Sequence, residues 1–156
     1  MTRIVANLDD GYDSIVQSLD DYQKRLSEKG NLLVTELAKM GVELAGHDFN
    51  GASYDGNANV TVTWESRGDM AAAVVASGEG ALFLEFGAGY LMGYGHPEPL
   101  GYGPGTYPGK GHWNDPNGWY YDHGKKSYGN PPTAAMYNAR KIIQQNLKDL
   151  AKGILQ

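Results

Sequence analysis

The 156-residue sequence predicts one α+β domain: a small, curved antiparallel sheet of three to five strands, packed by a long N-terminal helix and a C-terminal helix. Three observations lead there. Apolar residues recur at steps of three and four over residues 12–45 and again over 131–154, which is helical periodicity. Between them, Asn59–Glu65 (NVTVTWE) alternates apolar and polar residues, as a half-buried strand does. A third stretch, 87–130, has neither pattern and forms a long Gly/Pro/aromatic loop.

In the first helix the stripe is Ile15, Leu19, Tyr22, Leu26, Leu33, Leu37, Met40 and Leu44, with one beat missed near Lys29. Gly30 lies at that beat and costs about 1 kcal/mol relative to alanine, so a bend or a break is expected there. The stripe keeps register across it, which favours one helix ending at Gly41 or Gly46. Such a stripe faces either the domain's own core or a neighbouring subunit.

Residues 47–58 are turn-forming. A meander over 59–86 follows, with Val60, Val62 and Trp64 on one face of its first strand. Ser66–Asp69 (SRGD) makes the first turn, Met70–Ala76 returns, and Ala81–Phe86 (ALFLEF) is expected as a third strand. The 87–130 loop contains twelve of the 22 glycines and seven of the eleven tyrosines, with Trp113 and Trp119. Disordered segments are poor in aromatics, so this loop should order against something, with a strand near 118–123. Pro131 and Pro132 then suit the start of the closing helix, with Asn130 as its cap. Its seam is Met136, Ala139, Ile143, Leu147, Leu150 and Ile154.

Composition narrows the function. Net charge is −5 and the pI about 5.2, so there is no basic footprint for clamping a duplex. The absence of cysteine removes disulfides, thiolate nucleophiles and cysteine-ligated zinc, and suits a reducing compartment. No run approaches the roughly 18 apolar residues of a membrane span, and the opening MTRIVANLDDGYDS lacks the apolar core of a secretory signal.

Catalytic patterns are weak. His47, His96, His112 and His123 have no H-x-H or H-x-x-x-H spacing, so no metal site is expected. Glu85 and Glu98 could be posed as a carboxylate pair for glycoside hydrolysis, but nothing sets their separation. A structural hydrogen bond or a subunit salt bridge is the better expectation for Glu85. No G-x-S-x-G occurs, and Gly101–Gly111 lacks the G-K-[ST] ending of a phosphate loop. The aromatics suit subunit contacts, self-packing over the sheet, or stacking on sugars or bases.

The order of motifs resembles a known family. Leu84–Gly89 (LEFGAG), His96–Pro99 (HPEP), Gly118–Asp122 (GWYYD) and Gly129–Arg140 (GNPPTAAMYNAR) together resemble the head–tail joining or tail-completion proteins of long-tailed bacteriophages. These neck proteins are often described as minor tail components. The family often has threonine where this chain has Ala88, and phenylalanine before the last-helix methionine where this chain has Ala135.

The resemblance implies a structural virion protein and no enzyme, with no catalytic residues, cofactor or metal. It implies a ring homo-oligomer at the neck, a hexamer being one option. Its partners would be the head connector proteins and the major tail tube protein. DNA would pass through the lumen without sequence-specific binding, and no membrane would be involved. Assembly would take place in the host cytoplasm. The expected subunit-interface residues are Glu85, Phe86, Tyr90, Tyr94, Trp113, Trp119, Tyr120 and Tyr121. The alternatives are an aromatic-loop carbohydrate-binding module and, more remotely, a hydrolase of cell-wall polymer.

Overall fold

In a computed structural model of the chain, residues 8–52, 60–78, 80–89, 92–93, 95–98, 116–121 and 125–155 are described. Helix α1 (Leu8–Asn50) is followed by strands β1 (Thr61–Gly68) and β2 (Ala71–Ser77) and a short helix α2 (Ala81–Phe86). Strands β3 (Trp119–Tyr121) and β4 (Lys125–Ser127) then lead to helix α3 (Ala135–Leu155). The α+β class with a small sheet therefore holds. The strands form two separate antiparallel pairs, β1–β2 and β3–β4.

Helix α1 is a single run of 43 residues that passes through Gly30, Gly41 and Gly46. None of these glycines stops it, because tertiary packing overrides their low helix propensity. At Gly30 a Cβ would lie 2.5 Å from Met70 Sδ, and at Gly41 it would lie 2.8 Å from Val74 Cγ2 and 3.0 Å from Ile143 Cδ1. The missed apolar beat is thus a notch that receives the tip of the β1–β2 hairpin. Gly41 marks the close approach of α1, β2 and α3. The helix continues past Gly46 because Ala45 and Phe49, four residues apart on one face, are both fully buried.

The hairpin forms, but the expected buried face is only partly realised: Val62 is half-buried while Trp64 is exposed. Val62 pairs with Ala76 and Trp64 with Val74 across the ladder, and the register shifts between Ser66 and Gly68. Its tip is fastened to α1. Asp69 Oδ1 accepts hydrogen bonds from Ser27 Oγ at 2.9 Å and Asn31 Nδ2 at 2.7 Å. Asn31 Oδ1 in turn accepts from the Met70 N–H at 2.8 Å. The two bonds hold the Asp69 carboxyl below the ordinary carboxylate range, Asn31 being the larger cause.

The third strand expected over Ala81–Phe86 is instead helix α2, flanked by Gly80 and by Gly87 at φ 78°. Ala81, Leu84 and Glu85 are its buried residues, at steps of three and one, the signature of one helical face. Six mostly apolar residues fit a strand and a buried helix turn equally well, and only the packing distinguishes them.

Helices α1 and α3 run antiparallel. Asn138 Nδ2 reaches Asp48 near one end, and Lys29 Nζ donates to the Leu155 carbonyl at 3.1 Å near the other. The core gathers where the C-terminal end of α1 meets α2 and the start of α3: Ala45, Phe49, Leu84, Ala135 and Ala139 are buried together. Phe49 and Leu84 are the only large side chains fully enclosed among the described residues, and the alanines let the helix backbones come close.

Two expectations about apolar seams need correction. The N-terminal half of the α1 stripe does not face the core: Ile15 and Leu19 are each 62% exposed, Tyr22 60% and Leu26 47%. In α3 the seam is covered unevenly, with Leu147 exposed. Among the described residues, the remainder of the chain is too small to cover a helix of this length.

Candidate functional site

The residues that drew attention in the sequence converge on the junction between α2 and α3. Four N–H groups at the start of any helix lack intrahelical acceptors, and the last carbonyls lack donors. Here the end of α2 and the start of α3 satisfy each other. The Thr133 N–H and Oγ1 both donate to the Leu84 carbonyl, at 2.8 and 3.0 Å, and the Ala134 N–H donates to the Glu85 carbonyl at 3.1 Å. In return the Glu85 side chain caps α3: Oε2 accepts from the Met136 N–H at 2.9 Å and Oε1 from the Tyr137 N–H at 3.1 Å. A carboxylate here also meets the positive end of the helix dipole. Ala134 turns the chain into α3 at φ 52°, a left-handed conformation unfavourable for alanine.

This corrects the expected cap. Asn130 lies upstream of α3, which begins at Ala135. Its backbone pairs with that of Ala88 through two 2.9 Å hydrogen bonds, and its side-chain Nδ2 donates to the Phe83 carbonyl at 2.8 Å. The Ala88–Asn130 bridge closes the base of the 87–130 loop. It needs glycine on both sides. A Cβ on Gly129, at φ 104°, would collide with the Ala88 carbonyl, and one on Gly87 would lie 2.8 Å from Pro132 N.

His96 joins the same junction from inside the loop. Its Nε2 lies 3.3 Å from Glu85 Oε1, and its Nδ1 accepts from the Glu98 N–H at 3.0 Å. An Nδ1 that accepts is unprotonated, so the ring proton sits on Nε2 and points at the carboxylate. Two aromatic rings lie against the imidazole, Phe86 tilted at 4.6 Å and Tyr137 edge-on at 5.9 Å. Both side chains of the Glu85–His96 pair are nearly enclosed, at 8% and 5% exposure. At the rim, Arg140 Nη2 pairs with Glu98 Oε1 at 2.6 Å and its guanidinium lies over Tyr137. An open hollow of about 290 Å³ lies between these groups.

The contacts given for this pair all serve the packing of the junction. A carboxylate beside a histidine suggests a catalytic dyad, but a general base needs a free nitrogen aimed at a reacting group. Here both ring nitrogens are engaged, one by Glu85 and the other by the backbone of Glu98. The proposed carboxylate pair is likewise divided. Glu85 is used in capping α3, while Glu98 is held by Arg140. Among the described residues no group of three or more His, Asp or Glu side chains is placed to hold a metal ion.

Of the expected interface residues, Glu85 is buried and serves the chain's own packing. Phe86 is partly buried against His96. Trp119, Tyr120 and Tyr121 form β3, pairing with Ser127, Lys126 and Lys125, and their side chains lie outside the description. Tyr90, Tyr94 and Trp113 lie outside the described residues. Sequence reasoning missed the partners that Glu85 finds at Met136 and Tyr137, and the Asp69–Ser27–Asn31 clasp. The first had a signal, since the EFG and AMYNAR segments belong to the same set of motifs.

Among the described residues no helix is long and apolar enough to cross a membrane. Comparison with known protein families, curated proteins and solved structures finds no match for the chain.

Proposed function

We propose that the chain is a structural neck protein of a long-tailed bacteriophage. In this reading it completes the tail and joins it to the head by assembling as a ring through which DNA passes. One observation carries the reading. Described residues of three separate segments that bear the resemblance, 84–89, 96–98 and 129–140, meet in a single junction through Glu85, His96 and the start of α3. Motifs that share one packing role support a common architecture better than isolated matches do.

The junction also supports an assembly role for the loop. The Ala88–Asn130 bridge holds the loop's two ends together. A closed ring needs two different faces per subunit, and an aromatic-rich segment is suited to one of them. Mild acidity suits a channel wall along which DNA slides without sticking.

The test is mass measurement with negative-stain microscopy, on the protein alone and mixed with the tail tube protein of its own phage. A closed ring at the tube end is the expected result. A chain that stays monomeric under both conditions would sink the reading. Glycan binding abolished by Trp113→Ala or Trp119→Ala, with no assembly observed, would transfer the assignment to a carbohydrate-binding module.

A further inference from the structure

Among the described residues, the side-chain hydrogen bonds from α1 to other elements begin at Ser27. The hairpin tip clasps α1 at Ser27 and Asn31, and α3 finishes at Leu155 beside Lys29. Residues 11–26 are exposed throughout. From Leu8 to Leu26 the helix thus overhangs by roughly 28 Å at 1.5 Å per residue. A helix of this length without tertiary contacts is marginal in water, above all one containing Gly11 and several Asp and Ser residues.

The overhang carries an organised apolar seam. Tyr12, Ile15, Leu19, Tyr22 and Leu26 follow one another at steps of three, four, three and four, the 3.5-residue repeat that keeps a seam facing another helix. Tyr12 is 68% exposed, and Val16 widens the seam by one position. With these as core positions, the flanking positions are Gly11, Val16, Ser18, Gln23 and Arg25, among which Arg25 is the one charge. The acids Asp13, Asp20, Asp21 and Glu28 fall on the outer positions. An identical helix therefore meets the seam without like-charge repulsion along its edges, despite the chain's net acidity. Tyr12, Ile15, Leu19 and Tyr22 are each at least 60% exposed, so the seam offers a partner helix a continuous apolar strip.

We propose that the α1 overhang is a self-association surface, occupied by the same overhang of a second copy of this chain, helix against helix. The seam, its length and its uncharged flanks carry the inference. Pairing of one seam with its own copy is a two-fold contact, distinct from the head-to-tail contacts of a ring, so the proposal stands on α1 alone.

The chain's lack of cysteine makes the test direct. Leu19→Cys places one thiol at the centre of the seam, and Gln17→Cys places one on the opposite side of the helix. Under mild oxidation Leu19→Cys should give disulfide-linked dimers at least about tenfold faster than Gln17→Cys. Sedimentation should show concentration-dependent association that weakens at least about tenfold in Leu19→Glu/Tyr22→Glu, consistent with loss of central interface anchors. The thermal transition of the body should not move, because neither residue touches the core, and this separates lost pairing from lost folding.

Equal cross-linking of the two cysteine variants, or a wild-type chain that sediments like the double variant, would overturn the proposal. Dimers that pair through the overhang but never close into a ring would support the proposal and count against the neck reading.

Discussion

Glu85 and His96 form a buried pair in which the imidazole Nε2 lies 3.3 Å from the carboxylate Oε1, with that carboxylate simultaneously capping α3. One side chain therefore ties three stretches of chain: the end of α2, the early part of the 87–130 loop and the start of α3. Both histidine nitrogens are used, one by Glu85 and one by the Glu98 backbone, so the pair fixes the loop to the junction.

Removal of the cap should be felt across the junction. Glu85→Ala leaves the Met136 and Tyr137 N–H groups without acceptors in a buried place, and should destabilise the fold by about 2–3 kcal/mol. Glu85→Gln keeps one acceptor oxygen and should lose about half as much. Urea denaturation followed by circular dichroism reads both. Equal stability of Glu85→Ala and wild type would refute the capping role.

His96 anchors the loop more than the core. In His96→Ala the Glu98 N–H loses its acceptor and Glu85 loses a donor, a local change of about 1–2 kcal/mol. Limited proteolysis within residues 87–130 should accelerate several-fold, while the main thermal transition shifts by less than in Glu85→Ala. Unchanged cleavage kinetics would show that the histidine does not hold the loop.

Acid should loosen the hairpin tip through Asp69. Its carboxyl is held below the ordinary carboxylate range by Asn31 and Ser27. A depressed native value means that the stabilisation is fully present above the unfolded-state value and is lost as pH falls through the native one. The β1–β2 tip should therefore release in the acid limb below about pH 4. Asp69→Asn should flatten that limb, and hydrogen exchange at Met70, whose N–H bonds to Asn31, would report it.

Three glycines of α1 should respond differently to alanine. At Gly46 nothing lies within 4 Å of an added Cβ, so Gly46→Ala should stabilise by about 0.5–1 kcal/mol. At Gly41 the Cβ would press on Val74 and Ile143, and overpacking of about 1–3 kcal/mol should exceed the propensity gain. Gly30→Ala meets the flexible end of Met70 and should fall between them. Thermal melts of the three variants check the order.

Ala134 turns into α3 at φ 52°, so Ala134→Gly should relieve strain and raise stability by about 1 kcal/mol. A fall in melting temperature would show that the alanine methyl, which is buried, matters more to the core than the backbone strain.

What could be read from the residues alone is what repeats locally. The stripe from Ile15 to Leu44 and the seam from Met136 to Ile154 identified both long helices, and the alternation of Val60, Val62 and Trp64 identified the hairpin. Those patterns arise from the 3.6 and 2.0 periods of helix and strand, which need no knowledge of distant partners.

The contacts that organise the protein span many residues, and the tertiary structure alone decided them. Glu85 caps a helix that begins 50 residues later, Asp69 is held by residues of α1, and ALFLEF becomes a helix because Leu84 and Glu85 must face the same junction. A glycine reads locally as a break, yet Gly30 and Gly41 are notches filled by Met70, Val74 and Ile143. The apolar stripe of α1 marked a helix face and left its partner open. Only the tertiary structure shows which part of that face is covered and which is exposed, because burial depends on what lies opposite and not on the stripe itself.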